Sequence, residues 1–225
     1  LGISITGISH LKQLVSEMRQ SKKEAVLDES LIETIIGHEL EAIDLTSDSL
    51  ARVTELIKQF KHLSVNQLGY IVEDVNLLAV ISSGLAKYNR VLEENSIDVQ
   101  VHCDDINLFT YGEAISEIIE QLVSNSLDHA FQGRDNKRID ITAILKGEKV
   151  ELIYTDNGSG LTEKGQVEVF NPFYTTMRGY KGKIGLGMYL TFNLLTQLLA
   201  GRVEVENPNT GVSMILTFPR KLLIG

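Results

Sequence analysis

Tryptophan is absent from this chain of 225 residues, proline occurs 3 times and cysteine once. Each scarcity excludes something. Few prolines leave room for long uninterrupted helices. The single Cys103 excludes an internal disulfide framework and a zinc cluster built from thiolates. A lone cysteine can be a nucleophile, but Cys103 closes the alternating run IDVQVHC and reads as a strand residue. No apolar stretch reaches the ~18 residues of a membrane span. No basic region precedes an apolar one at the start, so no signal peptide is expected. A reduced, cytoplasmic setting fits these facts, with any membrane attachment left to segments outside this chain. Cations are also scarce: 21 Lys and Arg face 30 Asp and Glu, for a net charge of −9. That argues against a nucleic-acid partner, although a local basic pocket is compatible with it. A hydrophobic content of 43% and a charged content of 23% are those of a folded globular protein.

The first sixty residues carry a helical pattern. Leu1, Ile8 and Val15 recur every seven residues, with Leu11 and Met18 on the same face. The polar stretch RQSKKE, Arg19 to Glu24, interrupts it. A second helix opens near Asp28-Glu29-Ser30, whose carboxylates suit a helix N-terminus. Its stripe is Ile36, Ile43, Leu50 and Ile57, joined by Val53 and Phe60. Two such helices predict an antiparallel hairpin over residues 1–66. A hairpin buries only one face of each helix, so a homodimer through a four-helix bundle is expected.

From residue 67 to residue 225 the texture is mixed. YIVEDVN predicts a short strand and NLLAVISSGLAKYNRVLEEN a helix. IDVQVHC is a strand by alternation, and Tyr111 to Phe131 a strong helix. RIDITAILKGEKVELIYTDNG predicts two strands joined at Lys146-Gly147-Glu148. A Gly-rich irregular region follows, then a helix over Gly187 to Ala200. RVEVEN and GVSMILTFP make a last hairpin across Pro208 to Gly211. Intermixed strands and helices with hairpin links predict an α+β class, a mixed sheet with helices on one face.

Four stretches of this second part carry polar chemistry. In EIIEQLVSNSLDHAF, Gln121, Asn125 and His129 recur every four residues and share a helix face, with Asp128 beside them. A carboxamide aimed into a pocket can offer its oxygen to Mg²⁺. Alone, such a stripe is more often a solvated face. DNGSGL, Asp156 to Leu161, puts a carboxylate at a strand end where the backbone turns tightly. That carboxylate can accept from an exocyclic amine, or the stretch is a plain turn. FNPFYTT, Phe170 to Thr176, leads into MRGYKGK with aromatic anchors. GKIGLGMYL, Gly182 to Leu190, places three glycines before a helix, which offers backbone N–H groups to a phosphate.

In this order and spacing the four stretches resemble the N, G1, F and G2 boxes of the catalytic domain of sensor histidine kinases. That domain belongs to the wider superfamily that includes DNA gyrase and mismatch-repair ATPases. The resemblance runs from about Tyr70 to Pro219. It implies a two-layer α/β sandwich that binds ATP and Mg²⁺ under a mobile lid. On that resemblance Asn125 is the Mg²⁺ ligand and Asp156 meets the adenine amine. Gly158 and Gly160 shape the adenine pocket. Phe170, Phe173, Thr175 and Thr176 belong to the F box. Gly185, Leu186 and Gly187 meet the phosphates, and Arg178, Lys181 and Lys183 lend the lid positive charge. Asp128 and His129 flank the phosphate side.

The chain departs from the pattern in places. Gyrase-like ATPases carry a Glu four residues before the Asn as general base for water; here that position is Gln121. Glu120 is adjacent but about 100° away around a helix. This favours phosphoryl transfer over hydrolysis. Asp128 stands where many kinases have Lys, and Lys183 and Ile184 replace a more usual Gly-Thr. The rival readings are a non-catalytic nucleotide-binding dimerisation module and a gyrase-like ATPase.

The resemblance also turns the N-terminal hairpin into a dimerisation and phosphotransfer domain. Its acceptor histidine is normally followed by an acidic residue and soon by a Pro. His10 is followed by Leu11 and Lys12. His38 begins HEL but lies within the second helix, and His62 ends it. TELIKQFKHLSVNQ, Thr54 to Gln67, is similar to the end of the second helix in one subgroup of these kinases, and Leu1-Gly2 to the tail of that subgroup's H box. The expected phosphoacceptor therefore precedes Leu1, with His10 as the fallback. The expected onward partner is a response regulator or receiver domain.

Overall fold

The computed structural model describes residues 69–176, 185–206 and 210–223, together with His38, Leu40, Glu41, Ile43, Asp44, Thr46, Leu50 and Val53. Two units divide the chain. The larger spans Gln59–Met177 and Gly185–Gly225 and carries the strands and helices below. In the other, the eight described residues from His38 to Val53 are helical. The rest of the expected hairpin, with His10 and His62, lies outside the described residues. Among the described residues no helix is long and apolar enough to cross a membrane.

The larger unit runs β1 (Glu73–Asn76), α1 (Leu77–Ala86), α2 (Asn89–Glu94), β2 (Asp98–Cys103), β3 (Asn107–Thr110) and α3 (Gly112–Asn125). There follow β4 (Arg138–Lys146), β5 (Lys149–Asp156), α4 (Glu163–Glu168), α5 (Gly187–Asn193), β6 (Arg202–Glu206) and β7 (Val212–Pro219). A π-helical turn extends α3 over Ser126–Ala130, and another extends α5 over Leu194–Leu198.

Five strands form a mixed sheet in the order β2-β4-β5-β7-β6. β2 pairs parallel to β4, and the remaining neighbours are antiparallel. Alternation decides which face is buried. Val150, Leu152, Tyr154 and Asp156 of β5 are buried, and their partners on β4 and β7 (Ile139, Ile141, Ala143, Met214, Leu216, Phe218) are buried with them. Against that face pack Leu77 and Ile81 of α1, Ile115, Ile118, Ile119 and Leu122 of α3, and Leu190, Leu194 and Leu195 of the last helix, in one apolar cluster. Fully burying one such side chain stabilises by ~1.5–3 kcal/mol. The larger unit thus has the α+β, two-layer arrangement expected of the second part of the chain.

Several local expectations need correction. The helix expected over Asn76 to Asn95 is two, α1 and α2, parted at Lys87 and Tyr88. The apolar positions 77, 81, 85, 88 and 92 run through the break, so periodicity alone cannot reveal it. β3 is not expected from the sequence pattern. It pairs antiparallel with β1 in a second, two-stranded sheet, so there is not one sheet but two. The irregular region also contains α4, whose N-cap Thr162 accepts from the Gly165 N–H at 3.0 Å. Four residues of NLFT are too short a run for alternation to be read against its surroundings.

Candidate functional site

Helix α3 buries Ile115, Ile118, Ile119, Leu122 and Val123. That leaves Gln121 and Asn125 on a partly exposed flank. The π turn after Asn125 turns Ser126 into the core and brings His129 beside Asn125. Both line a cleft of about 380 Å³ together with Ser159, Gly160, Leu161, Thr162, Val169, Tyr174, Thr175, Thr176 and Met188. One wall is therefore the end of α3. The floor is the turn after β5, and the far wall is the loop after α4 with the start of α5.

Asp156 is the last residue of the buried row on β5 and is 5% exposed. Its Oδ1 accepts from the Gly158 N–H at 2.9 Å and its Oδ2 from the Ser126 hydroxyl at 2.8 Å. Burial pushes its carboxyl above the usual carboxylate range, against the donors from Gly158, Ser126 and the Val212 N–H and the charge of Arg134.

Glycine at 158 is set by close approach. A Cβ there would stand 2.7 Å from the Ala130 carbonyl oxygen and nearer still to the Ala130 Cβ. The same contact carries the bonds from Ser159 N–H to Ala130 O (3.0 Å) and from the Ser159 hydroxyl to His129 O (3.2 Å). Gly185 has φ +77°, and a Cβ on it would collide with the Tyr174 carbonyl. The two chain ends flanking residues 177–184 thus meet at the cleft. A Cβ at Gly187 would lie 2.7 Å from Gln121 Oε1, which puts the Gln121 carboxamide against the start of α5.

The structure brings five of the expected residues together at the cleft. Asn125, His129, Gly160, Thr175 and Thr176 line the cleft, and Thr176 Oγ1 lies 2.9 Å from His129 Nδ1. Asp156, Gly158, Gly185, Leu186, Gly187 and Gln121 are expected there but are not in the lining. Phe170 packs on Phe192 with ring centroids 5.7 Å apart, behind the loop. Phe173, at φ +68° and 55% exposed, and Asp128, whose carboxylate lies 3.4 Å from the Ser124 hydroxyl, are not in the lining. Arg178, Lys181 and Lys183 lie outside the described residues. Glu120 is held by Lys87 at 2.7 Å, toward α1 and α2. Ser126, Tyr154, Ser159, Thr162 and Met188 were not singled out in the sequence. The even alternation of β5 could have marked Tyr154, since it runs on the same face into Asp156.

The site is thus a cleft on an α+β domain, between the end of one helix and the start of another. Residues 111–222 match the model of the histidine kinase-, DNA gyrase B- and HSP90-like ATPase family. The chain is 24% identical over 181 residues to sporulation kinase A of Bacillus subtilis (strain 168), covering 79% of this chain and 29% of that protein. It is 25% identical over 189 residues to the alginate biosynthesis sensor protein KinB of Pseudomonas aeruginosa, covering 81% and 31%. It therefore spans about a third of these relatives' length. Among solved structures, the catalytic domain of histidine kinase ThkA superposes with a TM-score of 0.60 at 22% identity, over 67% of this chain and 97% of that one. A structure of ThkA in complex with the response regulator protein TrrA gives 0.60 at 20% identity, over 93% and 57%. This chain carries an ATP-binding ATPase core of the sensor histidine kinase family.

Proposed function

We propose that the chain is the catalytic core of a two-component sensor histidine kinase, a protein-histidine kinase that transfers the ATP γ-phosphoryl group to an imidazole nitrogen. The observation that carries the reading is Asp156, a buried carboxylate that ends an apolar strand row three residues before Ser159, where the chain enters the cleft. As an acceptor it suits the adenine amine. The cleft's other groups suit the phosphates and their cation. Asn125 presents a carboxamide oxygen, a donor type that a hard cation such as Mg²⁺ accepts. Gly185 leaves room for the Tyr174 carbonyl and Gly187 for the Gln121 carboxamide. When bound, Mg²⁺ would neutralise charge on the phosphates. Thr175, Thr176 and His129 line the same wall, and by the family resemblance Arg178, Lys181 and Lys183 would add positive charge for the phosphates.

In the transfer, the bond from the γ-phosphorus to the bridging oxygen breaks as a P–N bond forms, and ADP leaves. The imidazole supplies its own lone pair, so no protein base is needed for water. Gln121 is neutral and rests against Gly187, and the nearest carboxylate in sequence, Glu120, is engaged by Lys87. Both favour transfer over hydrolysis.

The wider reading divides the chain into a dimerisation and phosphotransfer part, 1–66, and the ATP-binding part, 67–225. A homodimer would form through the N-terminal helices. Leu40, Ile43 and Leu50 are 58%, 48% and 57% exposed in the single chain, which suits a face awaiting a partner. The phosphoryl group would pass to an aspartate of a response regulator or receiver domain, in the cytoplasm. The acceptor histidine would precede Leu1, with His10 as the alternative.

Calorimetry with ADP and Mg²⁺ tests the nucleotide site. Asp156→Asn sets a donor against a donor, so affinity should fall roughly tenfold or more. Equal affinity would remove the assignment. Labelled ATP tests the acceptor: a chain extended upstream by about twenty residues should take up acid-labile, base-stable label, and this chain should not. Label here that is lost in His10→Ala would make His10 the acceptor.

A further inference from the structure

The π turn after Asn125 and the strand β5 place two hydroxyls behind Asp156 that the nucleotide reading does not use. Ser126 Oγ lies 2.8 Å from Asp156 Oδ2 and 2.9 Å from Tyr154 Oη. Tyr154 and Ser126 are each 2% exposed, so neither exchanges these partners for water. The direction of the chain follows from the proton count. Ser126 has one hydroxyl proton, and an ionised carboxylate can only accept. The proton therefore points at Asp156, and the Ser126 oxygen is left to accept from Tyr154. Tyr154 has one other acceptor within reach, the Leu122 carbonyl, at a longer 3.3 Å. That carbonyl already accepts the Ser126 backbone N–H. The shorter, less contested bond is the one to Ser126. Burial also pushes the Tyr154 phenol upward, so it stays a donor at every working pH.

We infer that Tyr154 and Ser126 form a hydrogen-bond relay, Tyr154 to Ser126 to Asp156, that positions Asp156 as a pure acceptor and so sets the preference for adenine over 6-oxopurines. The inference rests on the nucleotide-site reading above. Donors on both oxygens hold the carboxylate in one orientation. With Gly158 N–H on Oδ1 and Ser126 on Oδ2, the carboxylate cannot rotate without breaking a buried bond. An amine at the purine 6-position then meets a lone pair, and a carbonyl there meets a repelling oxygen. Ser126 and Tyr154 touch no reacting atom; they are positioning residues. The charged group that acts on Asp156 from outside the relay is Arg134, whose Nη1 donates to the Asn157 carbonyl at 2.8 Å.

The test compares ADP with IDP, which carries a carbonyl where adenine has its amine, in the full chain with Mg²⁺. Tyr154→Phe keeps the ring and its packing and removes only the hydroxyl. It should weaken ADP binding roughly threefold to tenfold, leave IDP unchanged or tighter, and so shrink the ADP/IDP ratio. Ser126→Ala should shrink it further. A purely structural defect would weaken both nucleotides by one factor. A second readout is the pH profile of ADP affinity. Removing the Ser126 donor raises the Asp156 pKa further, so in Ser126→Ala the acid-side fall should begin at higher pH than in the unmutated chain. Equal loss of ADP and IDP, with an unmoved acid limb, overturns the relay. If the unmutated chain prefers ADP and Asp156→Asn abolishes the preference while Tyr154→Phe and Ser126→Ala keep it, the relay alone fails. If the unmutated chain does not bind ADP, the nucleotide reading fails and the relay with it.

Discussion

Gly158→Ala is the most direct perturbation of the site's architecture. The glycine is not there for an unusual backbone angle. It is there because the turn after β5 lies on the π turn after α3, with 2.7 Å between a new Cβ and both the Cα and the carbonyl oxygen of Ala130. Ordinary contact needs about 3.5–4.0 Å between carbons. The two segments must therefore part by about an ångström, and backbone, not a flexible side-chain end, has to move. Overpacking of this kind costs ~1–3 kcal/mol, and at ~2–4 °C per kcal/mol for a domain of this size the melting temperature should fall by about 2–12 °C. The same movement stretches the Ser159 to Ala130 bond of 3.0 Å and the Gly158 to Asp156 bond of 2.9 Å. ADP affinity should drop in step. Differential scanning calorimetry with and without ADP reads both effects. Ala130→Gly in the same chain removes the closest of the contacts but not those to Cα and oxygen, so the double variant should recover part of the loss, a coupling that a double-mutant cycle isolates. A Gly158→Ala protein that melts and binds like the unmutated one would refute the close approach as the reason for the glycine.

Three further perturbations bear on other parts. The Asp156 carboxyl is raised by burial, so the folded chain holds that proton more tightly than the unfolded one; stability from this group is full below the ordinary carboxylate value and declines as pH rises through the folded value. Unmutated minus Asp156→Asn stability should therefore fall from acid toward neutral pH in denaturant titrations, and a difference that rises would reverse the sign. Gln121→Glu is isosteric and puts a carboxylate one helical turn before Asn125, so phosphate release from ATP should rise above the unmutated rate; no increase would show that Gln121 does not limit hydrolysis. Ile43→Lys with Leu50→Lys should convert a dimer to a monomer in light scattering across concentrations, and a monomeric unmutated chain would end the dimer proposal.

The sequence was most legible where one period held over a long run. The alternations of β4 and β5, the turn between them and the stripe of α3 all emerged from residue patterns. The break between α1 and α2 did not, because Leu85, Tyr88 and Leu92 keep helical spacing across it while the backbone departs at Tyr88. β3 was illegible because its four residues acquire meaning only from β1, a partner more than thirty positions away in the chain. The π turns follow strong helical sequence and were read as its continuation. Their wider winding is a tertiary matter, and it decides that Ser126 faces the core while His129 faces the cleft.

Asp156 shows why motif and packing had to be read together. As a motif residue it is one carboxylate before a glycine. As a strand residue it is the fourth member of the buried row Val150, Leu152, Tyr154, Asp156, in register with Ile139 on one side and Val212 on the other. The alternation that builds the core carries a charged group into it. An ionised carboxylate survives there only with donors around it, and Ser126, Gly158 and Val212 supply them. Two of those three come from segments on other elements, α3's π turn and the start of β7. On the proposed reading, recognition at this site is a property of the assembled two-layer core. Changes that loosen the contact between α3 and β5, even far from the cleft's mouth, should appear as lost nucleotide discrimination before they appear as unfolding.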